Sequence, residues 1–184
     1  MSKKLYLVVS DCPQSGKTTV STFIASHKKC ARMSSSDAIL SRVSKLTGIT
    51  AEEIKKRRLS DHNFCRIELI SEGNKMADSG YPPGVACLDM LPAAGDVVID
   101  GIRRAWELDE TIRRAKKMGF EVVVIGVTRP TVKTRQDNTE SELFDFIDYK
   151  IVNDKGLKEL EKAVLEILEK TETLPKDLSD LRKK

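Results

Sequence analysis

Leu5-Tyr6-Leu7-Val8-Val9-Ser10-Asp11-Cys12-Pro13-Gln14-Ser15-Gly16-Lys17-Thr18-Thr19 is the stretch on which the fold turns. Leu5 to Val9 is a continuous apolar run, short and partly β-branched, which suits a strand buried on both faces of a parallel sheet. Val20, Phe23 and Ile24 then recur at helical spacing within Thr18 to His27. A polar, glycine-containing loop thus joins a buried strand to a helix. Gly16, Lys17 and Thr18 match the end of the phosphate-binding pattern G-x-x-x-x-G-K-[ST], and Asp11 occupies the place of its first glycine. The chemistry follows from the backbone. Loop and first-turn N–H groups point at an anion, and the helix dipole favours negative charge there. In this pattern Lys17 reaches the β and γ phosphates of ATP and the Thr18 hydroxyl ligates Mg²⁺, while Pro13, Gln14, Ser15 and Thr19 complete the ATP-binding loop. The first glycine usually serves a turn with positive φ, which Asp tolerates better than most residues.

Outward from this loop the chain alternates strands and helices. Cys30 to Met33 reads as a second strand, and Ser34-Ser35-Ser36-Asp37 as a capping cluster for a helix over Ala38 to Leu46 that Gly48 stops. Thr50-Ala51-Glu52-Glu53 opens a short helix as a capping box. Asp61 to Asp78 carries the longest helical pattern, Gly80-Tyr81-Pro82-Pro83-Gly84 breaks it, and Val85 to Leu91 is helical again. Val97 to Asp100 is a buried strand, Trp106 to Met118 an amphipathic helix ended by Gly119, and Glu121 to Val127 the most apolar strand. After a polar stretch from 129 to 146, Tyr149 to Val152 and Lys155 to Glu169 give the last strand and helix. The expected fold is a doubly wound α/β sheet. Its organisation is a single domain over 1–171 with a C-terminal tail over 172–184.

Bulk properties narrow the class. With 40% apolar and 33% charged residues, the 184-residue chain reads as a soluble globular domain. No apolar run approaches the length of a membrane span, and the N-terminus lacks a signal-peptide core, so a cytoplasmic setting is expected. A net charge of +4 is mild for a nucleic-acid binder and equally suits a pocket for polyanionic nucleotides. Cys12, Cys30, Cys65 and Cys87 form no CxxC pair, and neither His27 nor His62 stands at a zinc-like spacing, so reduced structural thiols are expected.

Val97-Val98-Ile99-Asp100 has the shape of a Walker B strand, whose terminal carboxylate holds the Mg²⁺ shell beside the phosphate loop; the alternative is an Asp that merely caps the strand end. Phosphoryl transfer needs cations around the transferring group, and the arginine fork suits phosphate. Arg103, three residues past Asp100, falls at the carboxyl end of the sheet, where ligands bind in such folds. Arg104 is read as a partner for Glu107 or Glu110. Arg129 and Arg135 flank Pro130 after the strongest strand, and Arg135 is the better candidate for a lid cation closing on ATP, with a plain solvated loop as the other reading. Asp37 either orients an acceptor or caps its helix, and Lys55-Lys56-Arg57-Arg58 reads as a solvated helix face.

GTPase signatures are missing: Asp100-Gly101-Ile102-Arg103 is no Asp-x-x-Gly switch, and Asn153-Asp154-Lys155 has the wrong order for Asn-Lys-x-Asp. Taken together, the Ser-Gly-Lys-Thr loop, Arg66-Ile67-Glu68-Leu69-Ile70 leading to Gly73, Asp100-Gly101-Ile102-Arg103 with Glu107, Val127-Thr128-Arg129-Pro130, Asp137-Asn138-Thr139-Glu140 and Tyr149-Lys150-Ile151-Val152-Asn153-Asp154 resemble the nucleoside monophosphate kinase group of P-loop kinases. The chain is most similar to the phage-type deoxynucleoside monophosphate kinases, and dephospho-coenzyme A kinases share several of these features. The resemblance implies a P-loop NTPase with a five-stranded parallel core and helices on both faces, a helical acceptor-binding region over about 35–95 and a lid over about 129–146. It implies Mg²⁺-dependent transfer of the ATP γ-phosphate to a (deoxy)nucleoside monophosphate. Arg66 and Arg103, with Arg42 as a further candidate, would hold the acceptor phosphate, and Asn153 and Asp154 would lie near the donor adenine. The alternatives are a kinase for another small acceptor such as dephospho-coenzyme A, or an ATP-binding protein with little turnover. The expected partners are ATP and a small nucleotide. Membrane is not expected, nor is nucleic acid, because 5% aromatic residues offer little for base stacking, and a homodimer is left open.

Overall fold

The computed structural model describes residues 3–92, 94–132 and 141–173. Its strands and helices alternate in the order β1 (Lys4–Ser10), α1 (Lys17–Lys28), β2 (Ala31–Ser34), α2 (Ser35–Thr47), α3 (Ala51–Ser60), α4 (Arg66–Asp78), α5 (Pro83–Asp89), β3 (Val97–Asp100), α6 (Ala105–Lys117), β4 (Glu121–Thr128), β5 (Tyr149–Val152) and α7 (Leu157–Thr173), with a 3-10 turn over Ser141–Phe146. The five strands form one sheet in the order β2-β3-β1-β4-β5. All four pairings are parallel, with Leu5 opposite both Val97 and Val122.

The period of two along β1 divides the interior into two layers. Leu5, Leu7 and Val9 pack with Ala38, Met76, Cys87, Leu88 and Leu108, which belong to α2, α4, α5 and α6. Tyr6 and Val8 face the other way, onto Val20 and Ile24 of α1 and Leu160, Val164, Ile167 and Leu168 of α7. Helices on both faces explain why β1 is apolar at every position from Leu5 to Val9 instead of alternating. Each such fully buried aliphatic side chain is worth roughly 1.5–3 kcal/mol.

A third, smaller cluster holds α2, α3 and α4 together: Leu40, Val43 and Ile54 are buried, with Ile49, Phe64 and Leu69 packed against them. This helical region lies between β2 and β3 in sequence, where the acceptor-binding region is expected. The capping box expected at Thr50 forms only in part. Thr50 caps α3 by accepting from the Glu53 N–H at 3.2 Å, while the Glu53 carboxylate turns to Arg57 at 2.6 Å. Several boundaries differ from the sequence reading, α2 for one starting at Ser35 instead of Ala38, and two differ most. The helix expected from Asp61 begins at Arg66, because Cys65 adopts a left-handed conformation (φ 52°) and Asp61 and Asn63 form a turn before it. α7 runs through Thr173, two residues into the expected tail, with Thr171 buried beneath it. Arg135 and the rest of 133–140, in the expected lid, lie outside the described residues, as does 174–184. No helix among the described residues is long and apolar enough to cross a membrane.

Candidate functional site

Because every strand is parallel, their carboxyl ends share one edge of the sheet, and the loops that follow β1, β2, β3, β4 and β5 gather there. That edge is where ligands bind in open α/β sheets, at the point where strand order reverses. The chain leaves central β1 at such a point, with β3 on one side and β4 on the other.

The loop after β1 is shaped by two positive-φ residues, Gln14 (φ 60°) and Gly16 (φ 97°). Asp11 is not among the positive-φ residues, so the expectation that it supplies the first left-handed turn of the loop is corrected: that backbone geometry falls on Gln14. The Asp11 Oδ1 atom is buried and makes no hydrogen bond. Gly16 is the N-cap of α1 with no side-chain cap, and the first turn contains no acidic residue. The Lys17 N–H makes a long bond to Ser15 Oγ at 3.4 Å, and no carboxylate in the first turn competes for the helix dipole, so the start of α1 suits an anion. Lys17 and Thr18 open the helix, with Thr18 exposed, and Ser15 is buried beneath them at 1% exposure.

Two residues from the far side of the sheet brace this loop. Asn153, just past β5, donates from Nδ2 to the Ser15 carbonyl at 2.8 Å. A Cβ placed on Gly16 would stand 2.4 Å from the same Nδ2, so Gly16 is required both by its φ and by the approach of Asn153. Arg129, just past β4, reaches the Gln14 carbonyl at 3.4 Å. The structure thus brings Asn153 and Arg129 to the phosphate loop, 138 and 115 residues from their partners in sequence. Asp154 follows on the exposed side of that corner.

Asp100 ends β3 beside β1, opposite Val8, and is 2% exposed. Its Oδ2 accepts from Ser21 Oγ at 2.5 Å and from Arg32 Nη2 at 2.6 Å, and Arg32 Nε donates to Ser21 Oγ at 2.8 Å. Ser21 lies one turn below Thr18 on α1, so Asp100 is tied to the underside of the phosphate-loop helix through a closed Ser21–Arg32–Asp100 ring. Arg32 and Ser21 were not singled out from the sequence; a polar Arg in the middle of β2 was the available signal. No group of three or more His, Cys, Asp or Glu residues able to hold a metal occurs among the described residues. Mg²⁺ ordinarily needs only one or two side chains together with the phosphates it accompanies, a donor set that Thr18 and Asp100 fit in type.

The side where an acceptor is expected centres on the turn after Asp100. Gly101 has φ 92°, and a Cβ there would meet Ser35 Oγ at 2.6 Å and Ser34 Oγ at 2.9 Å. The Asp100–Arg103 corner therefore lies against the start of α2. Asp37 caps α2 by accepting from the Ser34 N–H at 2.8 Å, and its other oxygen pairs with Lys55 at 2.7 Å. Arg42 pairs with the buried Glu72 at 3.4 Å, Arg66 opens α4 on an exposed surface, and Arg103 is exposed. Arg104 reaches Asn74 Oδ1 at 3.2 Å in place of Glu107 or Glu110; Glu110 pairs with Arg113 and Arg114. Glu107 is buried and accepts from the N–H of Gly84 at 2.8 Å. Burial pushes its carboxyl above the usual range, and the N–H groups of Gly84 and Arg103 oppose that rise. In the basic run, Lys55, Arg57 and Arg58 bind Asp37, Glu53 and the Phe64 carbonyl, leaving little of it as a free anion patch.

A central parallel strand, a Gly-Lys-Thr loop at an uncapped helix start and a carboxylate at the end of the adjacent strand define the P-loop NTPase fold. No protein-family model and no curated protein matches the chain. Among solved structures it is similar to shikimate kinase from Aquifex aeolicus, at 13% identity over 92% of this chain and 98% of that one, with a TM-score of 0.48. It is also similar to shikimate kinase from Acinetobacter baumannii in complex with shikimate, at 16% identity over 95% and 97% and a TM-score of 0.49. APS kinase from Mycobacterium tuberculosis gives 11% identity over 91% and 98%, with a TM-score of 0.46. The fold assignment rests on strand order and the phosphate loop, not on these distant likenesses.

Proposed function

We propose that the protein is an ATP-dependent phosphotransferase that moves the γ-phosphate of ATP to a (deoxy)nucleoside monophosphate. The observation that carries the reading is the uncapped start of α1, with Lys17 and Thr18 on it and the loop braced by Asn153. ATP phosphates would lie on the N–H groups of residues 14–19, with Lys17 neutralising the transferring group. Mg²⁺ would be held by Thr18 and, through its shell, Asp100, and would supply charge neutralisation between the β and γ phosphates. Arg103 and Arg66 would bind the acceptor phosphate, and Arg129, with Arg135 from the expected lid, would close the donor side. Reduced thiols and a cytoplasmic setting go with this reading.

An acceptor that already carries a phosphate needs no base to deprotonate it, whereas a hydroxyl acceptor such as dephospho-coenzyme A does. Both oxygens of Asp37, in the first turn of α2 just past β2, are occupied by Ser34 and Lys55, which favours the phosphate acceptor. A second reading, an ATP-binding protein with little turnover, draws on Asp11, which departs from the usual glycine of the loop and leaves a buried oxygen without a hydrogen bond. One screen separates the readings: ATP and Mg²⁺ with ribo- and deoxyribonucleoside monophosphates and dephospho-coenzyme A, followed by ADP release. Acceptor-stimulated ADP with a nucleoside monophosphate, lost in Lys17→Ala, supports the kinase. Tight ATP binding with no stimulation by any acceptor supports the second reading, and equal behaviour of Lys17→Ala and the unaltered protein defeats both.

A further inference from the structure

We propose that Glu107 is a positioning residue that sets Arg103 for the acceptor phosphate, an inference that rests on the kinase reading above. Glu107 is the third helical residue of α6, after the N-cap Arg104. A Glu at that place ordinarily reaches back to the N-cap amide from an exposed position. Here the carboxylate is 6% exposed and accepts from the N–H of Gly84 at the start of α5 at 2.8 Å, while the backbone N–H and the charge of Arg103 offset the cost of its burial. Burying a carboxylate whose bonds are to backbone N–H groups is costly, and capping a helix does not require it. What the burial does secure is a fixed link between three pieces of chain.

The surroundings show how tightly that link is drawn. A Cβ on Gly84 would meet Thr111 Oγ1 at 2.7 Å and Ile102 Cδ1 at 3.0 Å, so the start of α5 is pressed against the residue before Arg103. On the other flank Gly101 stands against Ser34 and Ser35. The backbone of residues 101–103 is therefore clamped between the start of α2, the start of α5 and the Glu107 carboxylate, while the Arg103 side chain extends from it into solvent. Because α5 closes the helical region between β2 and β3, the same carboxylate joins that region to the arginine corner.

Glu107→Gln keeps the volume but removes the charge and replaces one acceptor oxygen with a donor, so the attraction between this side chain and Arg103 is lost. Three quantities are measured on the full chain: affinity for ADP, affinity of the ADP-loaded protein for inorganic phosphate, and kcat and KM for the nucleoside monophosphate found in the screen. The expected result is a rise of about tenfold to hundredfold in the acceptor KM, the scale of cost that misplacing a positioning group by about 1 Å incurs. Phosphate affinity falls in parallel, and ADP affinity stays within about twofold of the unaltered protein's. In an Arg103→Ala background the Gln substitution adds little further loss, because both act on one group. Glu107→Asp, which keeps the charge and shortens the reach, takes the place of the Gln variant if the latter does not fold, with the same split expected. Unchanged phosphate affinity and acceptor KM overturn the proposal, as does full additivity with Arg103→Ala. Loss of ADP binding in both Glu107 variants assigns the residue to folding alone and also overturns it. If the unaltered protein phosphorylates no nucleoside monophosphate, the kinase reading fails by itself, and the phosphate titration still reports on Glu107.

Discussion

Asn153 offers the sharpest test of how the phosphate loop is held. In Asn153→Ala the Ser15 carbonyl loses its 2.8 Å donor within a residue that is 1% exposed. An unanswered buried backbone acceptor costs about 1–3 kcal/mol. The loop contains two positive-φ residues, Gln14 and Gly16, and loses part of what fixes them. With about 1.4 kcal/mol per tenfold, ATP affinity falls by about fivefold to hundredfold. Gly16→Ala strikes the same point from the other side. Its new Cβ would lie 2.4 Å from Asn153 Nδ2, and a non-glycine residue at φ 97° adds backbone strain of about 1–3 kcal/mol. The substitution therefore displaces Asn153 and forfeits the same hydrogen bond. The double variant loses that bond only once and has no clash, so it binds ATP more tightly than the sum of the single losses demands, by about 1–2 kcal/mol of coupling. Isothermal titration with ATP at fixed Mg²⁺ measures all four corners of the cycle. Strict additivity, or Gly16→Ala binding ATP as well as the unaltered protein, refutes the reasoning.

Other consequences are open to direct measurement. Asp11→Gly removes a carboxylate with a buried, unpartnered oxygen beside the loop, and ATP affinity is expected to rise by a few-fold in the same titration. Arg32→Met leaves the 2%-exposed Asp100 carboxylate with only Ser21; breaking such a pair costs about 2–4 kcal/mol once the partial exposure of Arg32 is allowed for, seen as a fall in Tm of several degrees. The buried Cys87 thiol is pushed up to about 12, chiefly by burial, so native protein at pH 8 resists alkylation at this position while unfolded protein does not, as peptide mass mapping will show. Hydrogen bonding from Lys75, with Arg42 nearby, holds the Glu72 carboxyl below its usual range. Its contribution is complete above the unfolded value of about 4.3 and is lost as pH falls through the lower folded value, so Lys75→Met flattens the acid side of a Tm-versus-pH curve.

What could be seen in the sequence was what neighbouring residues decide together. The phosphate loop is contiguous, and the apolar run Leu5 to Val9 announces a strand with helices on both faces. Capping by Thr50 and Asp37 acts within three residues, so it was legible too. Asp37, however, is also held by Lys55, 18 residues away, and that contact depends on how α3 packs. The Ser21–Arg32–Asp100 ring joins three elements whose adjacency exists only once β3 has been inserted between β1 and β2. Arg104 was assigned to acidic neighbours on its own helix, yet Asn74, 30 residues back, is its partner. The early start expected for α4 has a different cause. Phe64 and Ile67 continue the apolar period, but Ile67 is 81% exposed, and the left-handed Cys65 interrupts the backbone between them. Periodicity measures which face could be buried, not whether a partner covers it.

The small cluster of Leu40, Val43 and Ile54 has a bearing on how such a molecule can change. At roughly 1.5–3 kcal/mol for each buried side chain, three residues hold α3 far less firmly than the two layers hold the sheet. Substitutions that reshape this appendage disturb a local unit whose opening leaves the strands in place. The phosphate loop and its braces, Arg129 and Asn153, stand at the ends of β1, β4 and β5, outside that cluster. On the kinase reading, α3 and the loops around it are therefore the part of the acceptor side that can be reshaped at least cost to the sheet.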